Sequence, residues 1–296
     1  MIEVETLSEV ETISTGTRFA AATDSSLRER QRQDWDRIAA SVRDFADAPS
    51  TLYYRRCEIA LIEHAVGDLG GKRVLKLDLW NEAFNTRILD WMRSQEAKVV
   101  GLDLSRVVAH RARRNALAKG RPLPLLRADI RELPFPSGSF DVVYTMGTIE
   151  HIDEYPQSLR EIQRVLRPGG RAIVGVPHKW NLFLRPLMVW ILDAFGQYLY
   201  APEKSFSSGE LRRDLESAGL RPVERTGILT LPGFLRMADL FFYTRGIPLY
   251  RLSPLFLAPF QFLETRWRWP GRFGYLLTWI VSKPGSKPGS TPVSIQ

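Results

Sequence analysis

Two carboxylates stand where an open parallel sheet collects its ligands. Asp103 closes one apolar run, in KVVGLDL, and Asp129 closes another, in PLLRADI. In such a sheet, ligands bind beyond the carboxyl ends of the strands, near the point where strand order reverses. An acidic side chain ending the second strand can accept both hydroxyls of a ribose. One ending the third can accept a hydrogen bond from the exocyclic amine of adenine, with Ile130 packed on the ring. Each Asp alone reads equally well as a turn or helix-capping residue. At successive strand ends the two together read as an adenosine site. Glu150 and His151 follow a further apolar run, FDVVYTM, and His151 is placed either to act as a general base or to orient this loop through hydrogen bonds.

These residues need a scaffold that brings strand ends together. From Gly70 onward, apolar runs at 73–79, 98–104, 124–130, 140–146 and 171–177 alternate with helical patterns over Ala83–Ser94, Ser105–Lys119 and Gln157–Leu166. That alternation predicts parallel strands joined by crossover helices. Ser105 reads as an N-cap, and Pro168-Gly169-Gly170 closes the third helix. A further helix, Ser207–Ala218, is bounded by a Ser207/Glu210 capping box and by Gly219, the residue types that start and stop helices. Strands over Arg221–Leu229 and Tyr275–Ser282 complete the pattern. The predicted fold class is α/β: a Rossmann-like, doubly wound, mostly parallel seven-stranded sheet with helices on both faces and hydrophobic lid insertions. Expected boundaries are a flexible leader over 1–25, N-terminal helices over 26–70, the sheet domain over 71–283, and a disordered tail over 284–296 that repeats KPGS. Within 26–70, Trp35, Ile38, Ala39, Val42 and Phe45 mark an amphipathic helix and Tyr54–Gly67 a second one.

The run ADIRELPFPSGSFDVVYTMGTIEHIDEYPQSLREIQRVLRPGGRAIVGVP continues in EKSFSSGELRRDLESAGL. It resembles the middle of class I S-adenosylmethionine-dependent methyltransferases, in the small-molecule branch of the ubiquinone and menaquinone biosynthesis enzymes (methyltransferase type 11 domain). The resemblance covers roughly residues 70–230. It implies S-adenosyl-L-methionine as cofactor, with Asp103 and Leu104 on the ribose, Asp129 and Ile130 on the adenine, and Met146 with Gly147 beside the substrate. Members of that family carry an acidic residue and a Gly-x-Gly-x-Gly run after the first strand, where missing side chains let backbone approach the methionine portion. Here VLKLDLWNEAFNTRIL puts Lys76, Asp78, Trp80 and Glu82 at those positions. Two readings follow. In a variant site, Asp78 or Glu82 meets the ammonium and sulfonium charges of the cofactor; in a repurposed one, a non-catalytic protein of this fold binds a nucleoside ligand or a partner. Tyr53, Tyr54 and Arg55 are candidates to close over the methionine carboxylate, or to pack. Some quinone O-methyltransferases add an upstream Glu to such a Glu-His pair and bind a divalent metal, but Gly147 stands three residues before Glu150 here. No metal is expected.

Residues 178–204 and 231–274 are far more apolar than connections normally are. FLRMADLFFYTRG and LETRWRWPGRFGYLL set Arg beside aromatic and aliphatic residues, as in elements that lie at a membrane interface, roof a greasy pocket, or form a small auxiliary core. The expected acceptor is a hydrophobic small molecule: quinone-like, lipid-linked or a secondary metabolite. The 296 residues, 44% of them hydrophobic, supply a sizeable core. A net charge of +8 suits nucleic acid or an anionic membrane, yet the Arg residues are interleaved with acids. A nucleic-acid partner is not expected, because TMGTIEH stands where base-amine methyltransferases carry a Pro-Pro-Tyr type of motif. The first strand lacks the G-x-G-x-x-G turn of a nicotinamide oxidoreductase. A single cysteine, Cys57, excludes an internal disulfide or a cysteine-built metal site and suits a reducing cytoplasm. The N-terminus lacks the basic and apolar regions of a secretory signal, and no run approaches the roughly 18 apolar residues of a spanning helix. A cytoplasmic protein is expected, with any membrane contact peripheral to the inner face.

Overall fold

A computed structural model describes residues 15–120, 122–181, 203–266 and 273–285. Seven strands form one sheet: β1 (Arg73–Leu77), β2 (Lys98–Asp103), β3 (Leu125–Arg127), β4 (Phe140–Met146), β5 (Leu166–Pro177), β6 (Arg221–Ile228) and β7 (Leu276–Ser282). Their order is β3-β2-β1-β4-β5-β7-β6. Strands β1 to β5 pair in parallel, and β7 runs antiparallel between β5 and β6. The expected doubly wound, mostly parallel seven-stranded sheet is what forms. Central strands need apolar side chains on both faces, and Val74, Leu75 and Leu77 of β1, with Val142 and Val143 of β4, are all buried. The chain winds outward from β1 to β3, then returns to β4 on the other side of β1, so the reversal point lies between the ends of β1 and β4.

Nine helices among the described residues surround the sheet: α1 (Thr15–Ser41), α2 (Pro49–Val66), α3 (Trp80–Phe84), α4 (Ile88–Ser94), α5 (Arg106–Ala118), α6 (Tyr155–Val165), α7 (Ser208–Ser217), α8 (Gly233–Thr244) and α9 (Ser253–Arg266). One apolar cluster packs α2 to α5, with parts of α1, α8 and α9, on one face; a second packs α6 and α7 on the other. The Ser207/Glu210 capping box makes both of its bonds, and Gly219 turns the chain out of α7 with φ +80°.

Several boundaries differ from expectation. The first helix starts at Thr15, inside the expected leader, where FAAA favours a helix. The second starts at Pro49, whose fixed φ suits the first helical position. The helix expected over 83–94 is two short ones, because Asn81 O accepts from both Asn85 N and Arg87 N and Arg87 turns left-handed at φ 53°. The apolar insertion 231–274 folds into α8, a 3₁₀ turn at Pro248–Leu252, and α9. The other insertion lies outside the described residues over 182–202, as do 1–14 and the tail beyond 285.

Helix α2 has Ala48 at its N-cap, which has no side chain to satisfy the first backbone donors. The cap comes from far along the chain. Asp239 of α8, 2% exposed, accepts Ser50 N at 2.8 Å, while Arg236 Nη1 donates to Ser50 O at 3.0 Å. A carboxylate at a helix N-terminus is stabilising through both the hydrogen bond and the helix dipole. Asp239→Ala is expected to remove about 1–2 kcal/mol of stability, read as a lower urea midpoint; an unchanged midpoint would show the cap to be dispensable.

Candidate active site

The reversal point opens into one cavity, and Asp78, Asp103, Leu104, Asp129, Ile130, Met146, Gly147 and His151 all line it. Asp103, the last residue of β2, accepts Leu79 N with Oδ2 and Ser105 N with Oδ1, each at 2.8 Å. Those two bonds tie the loops after β1 and β2 together. Burial pushes its carboxyl up to about 7 against the pull of these donors. Asp129 is gripped by Arg131, with Nε 2.9 Å from Oδ1 and Nη2 2.6 Å from Oδ2. Burial works to raise this carboxyl, but the Arg131 bonds and charge outweigh it and hold it below the usual carboxylate range. Arg131 also bonds Glu154 at 2.8 Å and Gln31 Oε1 at 3.2 Å. Ile130 and Met146 are buried beside this pair.

The loop after β1 departs from a glycine turn in an unexpected way. Asp78, where the first glycine of the motif would fall, holds φ at +93°, a conformation that glycine adopts freely and a side chain resists. Lys76, where the acidic residue would fall, is fully buried; its Nζ donates to Asp78 O at 2.7 Å and to Asp78 Oδ1 at 3.1 Å. Thr148 Oγ1 donates to Asp78 Oδ2 at 2.9 Å. A base thus replaces the acid of the motif, and an acid replaces its first glycine. Burial works against the Lys76 ammonium, yet Asp78, Glu82 and Glu58 raise its affinity for the proton. Glu82 does not line the cavity. It belongs to α3 and turns inward, accepting Leu89 N at 3.3 Å and lying 3.9 Å from Lys76 Nζ, and burial pushes it up to about 7. Of the two carboxylates offered for the cofactor's positive charge, only Asp78 faces the space.

His151 ends a 3₁₀ turn, Ile149–His151, beyond β4. Its Nε2 lies 4.0 Å from Glu150 Oε1 and 3.8 Å from Oε2 of Glu203. Glu203 comes from the apolar insertion and was not singled out from the sequence. The three possible ligand atoms lie within 4.8 Å of one another. Helix α1 roofs this region: Gln31 Nε2 donates to His151 O at 2.8 Å, and the Trp35 ring meets the imidazole edge-on at 4.9 Å. Trp35 was read as a core residue, and its apolar spacing carried no sign of the cavity. The far end of the cavity is apolar, with Leu231, Met237, Leu240 and Tyr275. Tyr54 lines it beneath the Arg236 guanidinium, 5.3 Å from the ring centroid. Tyr53 instead bonds Glu264 and Thr230 under α9, and Arg55 is not among the lining residues.

Residues 68–174 match the family model described as a methyltransferase domain. A demethylmenaquinone methyltransferase of Thermus thermophilus is 42% identical over 124 residues, covering 38% of this chain and 56% of that protein. Phthiotriol/phenolphthiotriol dimycocerosates methyltransferase 1 of Mycobacterium ulcerans is 30% identical over 181 residues, covering 58% of this chain and 60% of its own length. The chain therefore spans somewhat over half of each of these two relatives. Among solved structures, the cyclase SpnF superposes with a TM-score of 0.56 at 19% identity, over 78% of this chain and 82% of its own; that likeness is one of fold. The resemblance drawn from the sequence motifs holds over the matched segment.

If Asp103 is the ribose acceptor, a carboxyl pushed up to about 7 makes binding depend on pH, because its protonated form would offer one acceptor fewer to the hydroxyls. Adenosine binding, followed by calorimetry, is expected to tighten up to about tenfold between about pH 6 and pH 8. Asp103→Asn should weaken binding and flatten the profile. A wild-type affinity that does not move over this range would remove Asp103 from the ribose.

Proposed function

We propose, from the premise that residues 68–174 belong to the methyltransferase domain family, that the chain transfers the methyl group of S-adenosylmethionine to a hydrophobic or amphipathic small molecule. The observation that carries this reading is a single cavity that joins carboxylates after β1, β2 and β3 to a largely apolar wall under α8, which also holds Arg236, with His151 in the same lining.

The residues present fit the cofactor. Asp103 retains lone pairs toward the cavity after its two backbone bonds, which suits a ribose diol. Asp129, steadied by Arg131, offers an acceptor for an adenine amine beside Ile130. Asp78 presents a carboxylate where the family has bare backbone, a match for an ammonium or sulfonium charge. When bound, S-adenosylmethionine supplies an electrophilic methyl group on sulfur. The protein then has to align an acceptor and, for a hydroxyl, remove its proton. His151 is the group for that proton, its Nε2 lying 4.0 Å from Glu150 Oε1 and 3.8 Å from Glu203 Oε2. Trp35 and Trp80 line the site with their rings edge-on to each other at 6.0 Å. The quinone and lipid names of the two relatives support an acceptor with a long apolar part. The competing reading, a non-catalytic ligand-binding protein, rests on the glycine-free loop.

Two experiments separate these readings. In the first, Lys76→Met with Asp78→Asn removes the buried ammonium and the carboxylate that holds it together. S-adenosylmethionine binding is expected to weaken about tenfold or more beyond any loss for adenosine, which has neither ammonium nor sulfonium. Equal loss for both ligands would mean that Asp78 shapes the loop and does not hold the cofactor. The second follows labelled methyl groups into quinol or lipid extracts. Wild-type protein should label them, His151→Ala should lower kcat for a hydroxyl acceptor by about two orders of magnitude or more, and a chelator should change nothing. No transfer to any extract would favour the non-catalytic reading. A chelator effect reversed by added magnesium would make Glu150, His151 and Glu203 metal ligands.

A further inference from the structure

Helix α8 packs Leu235, Leu240 and Tyr243 on the core but also turns polar residues inward and leaves aromatic ones in solvent. Surface helices bury an apolar stripe and expose polar residues. Here the buried residue of the helix is Asp239, and Arg236 also points inward, onto Tyr54 and Ser50. Phe234 and Phe241 face solvent at 60% and 45% exposure. Leu249 and Leu252 of the 3₁₀ turn and Leu255 and Phe256 of α9 are exposed as well, Leu255 at 71%.

The charges on these elements are sorted by sign. Both carboxylates within 233–264 are turned to the protein: Asp239 caps α2, and Glu264 accepts Leu229 N at 2.7 Å. The exposed charges are Arg245 and Arg251, joined at the end of α8 by Arg43, whose Nη1 donates to Thr244 O at 2.6 Å. The Arg245 guanidinium lies 4.0 Å above the Phe241 ring, an arrangement that lets the ring enter an apolar layer while the cation stays at its polar boundary. Asp44 and Asp47 stand nearby on the preceding segment, and Asp44 is paired with Arg87.

We propose that α8, the Pro248–Leu252 turn and α9 dock on an anionic lipid surface, with the Phe and Leu side chains in the acyl boundary and Arg43, Arg245 and Arg251 at the phosphates. An excess of exposed arginine beside exposed apolar side chains, here Arg43, Arg245 and Arg251 against Asp47 and the Arg87-paired Asp44, is what such a surface recognises. A second copy of the chain meeting this face about a twofold axis would set arginine against arginine. Among the described residues, no helix is long and apolar enough to cross a membrane, so the elements lie on the surface. The inner side of α8, at Gly233, Met237 and Leu240, lines the apolar end of the cavity, and docking would hold that end against the bilayer from which a lipid-soluble acceptor comes. The purpose of the docking rests on the methyl-transfer reading, but the docking itself is measured without any transfer.

The experiment is co-sedimentation of the full chain with phosphatidylcholine vesicles, with and without phosphatidylglycerol, at low and high salt. Binding is expected with phosphatidylglycerol present, weakened by salt and by its omission. Leu255→Glu with Phe256→Glu should abolish it, and Arg245→Glu or Arg251→Glu should each weaken it at least about fivefold on anionic vesicles. These side chains are exposed and lie outside the cavity lining, so the urea midpoint and adenosine affinity should stay at wild-type values and show that the variants fold. Absent binding to anionic vesicles, or binding untouched by the Leu255/Phe256 change, would overturn the proposal. So would a wild-type dimer in sedimentation velocity that the same change disperses, since the face would then belong to a second copy.

Discussion

The buried ammonium of Lys76 is the constraint around which this site is arranged. A charge taken wholly out of water is tolerable only with close partners, and Lys76 has Asp78 at 3.1 Å and Glu82 at 3.9 Å. Glu58, buried nearby, accepts from Tyr144 at 2.6 Å and Asn81 at 3.1 Å. Burial pushes Glu58 and Glu82 toward their protonated forms, which leaves Asp78 as the nearest counter-charge. Holding it there requires the left-handed backbone at Asp78, and that bend sets the next residue, Leu79, to donate to Asp103. Through Thr148 the same carboxylate reaches the loop after β4. One cation thus fixes the relative positions of three strand ends.

The sheet was legible because its signals are local. Alternating apolar runs, the Ser207/Glu210 cap and the paired glycines each act within a few residues, and strand-end carboxylates such as Asp103 and Asp129 follow once strands are placed. The motif position of Glu82 carries no information about which way its side chain turns. The chain enters α3 at Trp80, which rotates Glu82 inward to Leu89. Lys76 did leave a mark in the sequence, as a charge at an apolar position of β1, but its sign carried no information about which carboxylate it would hold.

The remaining site residues arrive from distant parts of the chain. Gln31 meets His151 across 120 positions, and Asp239 meets Ser50 across 189. Glu203 sits at the edge of an apolar insertion. No periodicity encodes such meetings; they follow from packing, after the local elements exist. Helix α8 illustrates the limit. Its sequence is apolar almost all round, and only the folded chain reveals that its few polar residues are the ones turned inward, serving α2 and the cavity wall.

The change from an acid and a glycine to Lys76 and Asp78 also bears on descent. It takes two substitutions, and the intermediate holds either a buried ammonium without its nearest carboxylate or two neighbouring acids. Each intermediate carries a penalty that the finished pair does not. The return is obstructed in the same way: restoring glycine at 78 relaxes the backbone but strands Lys76. The loop is therefore a one-way latch in sequence space, and homologues that share it are expected to carry both changes or neither.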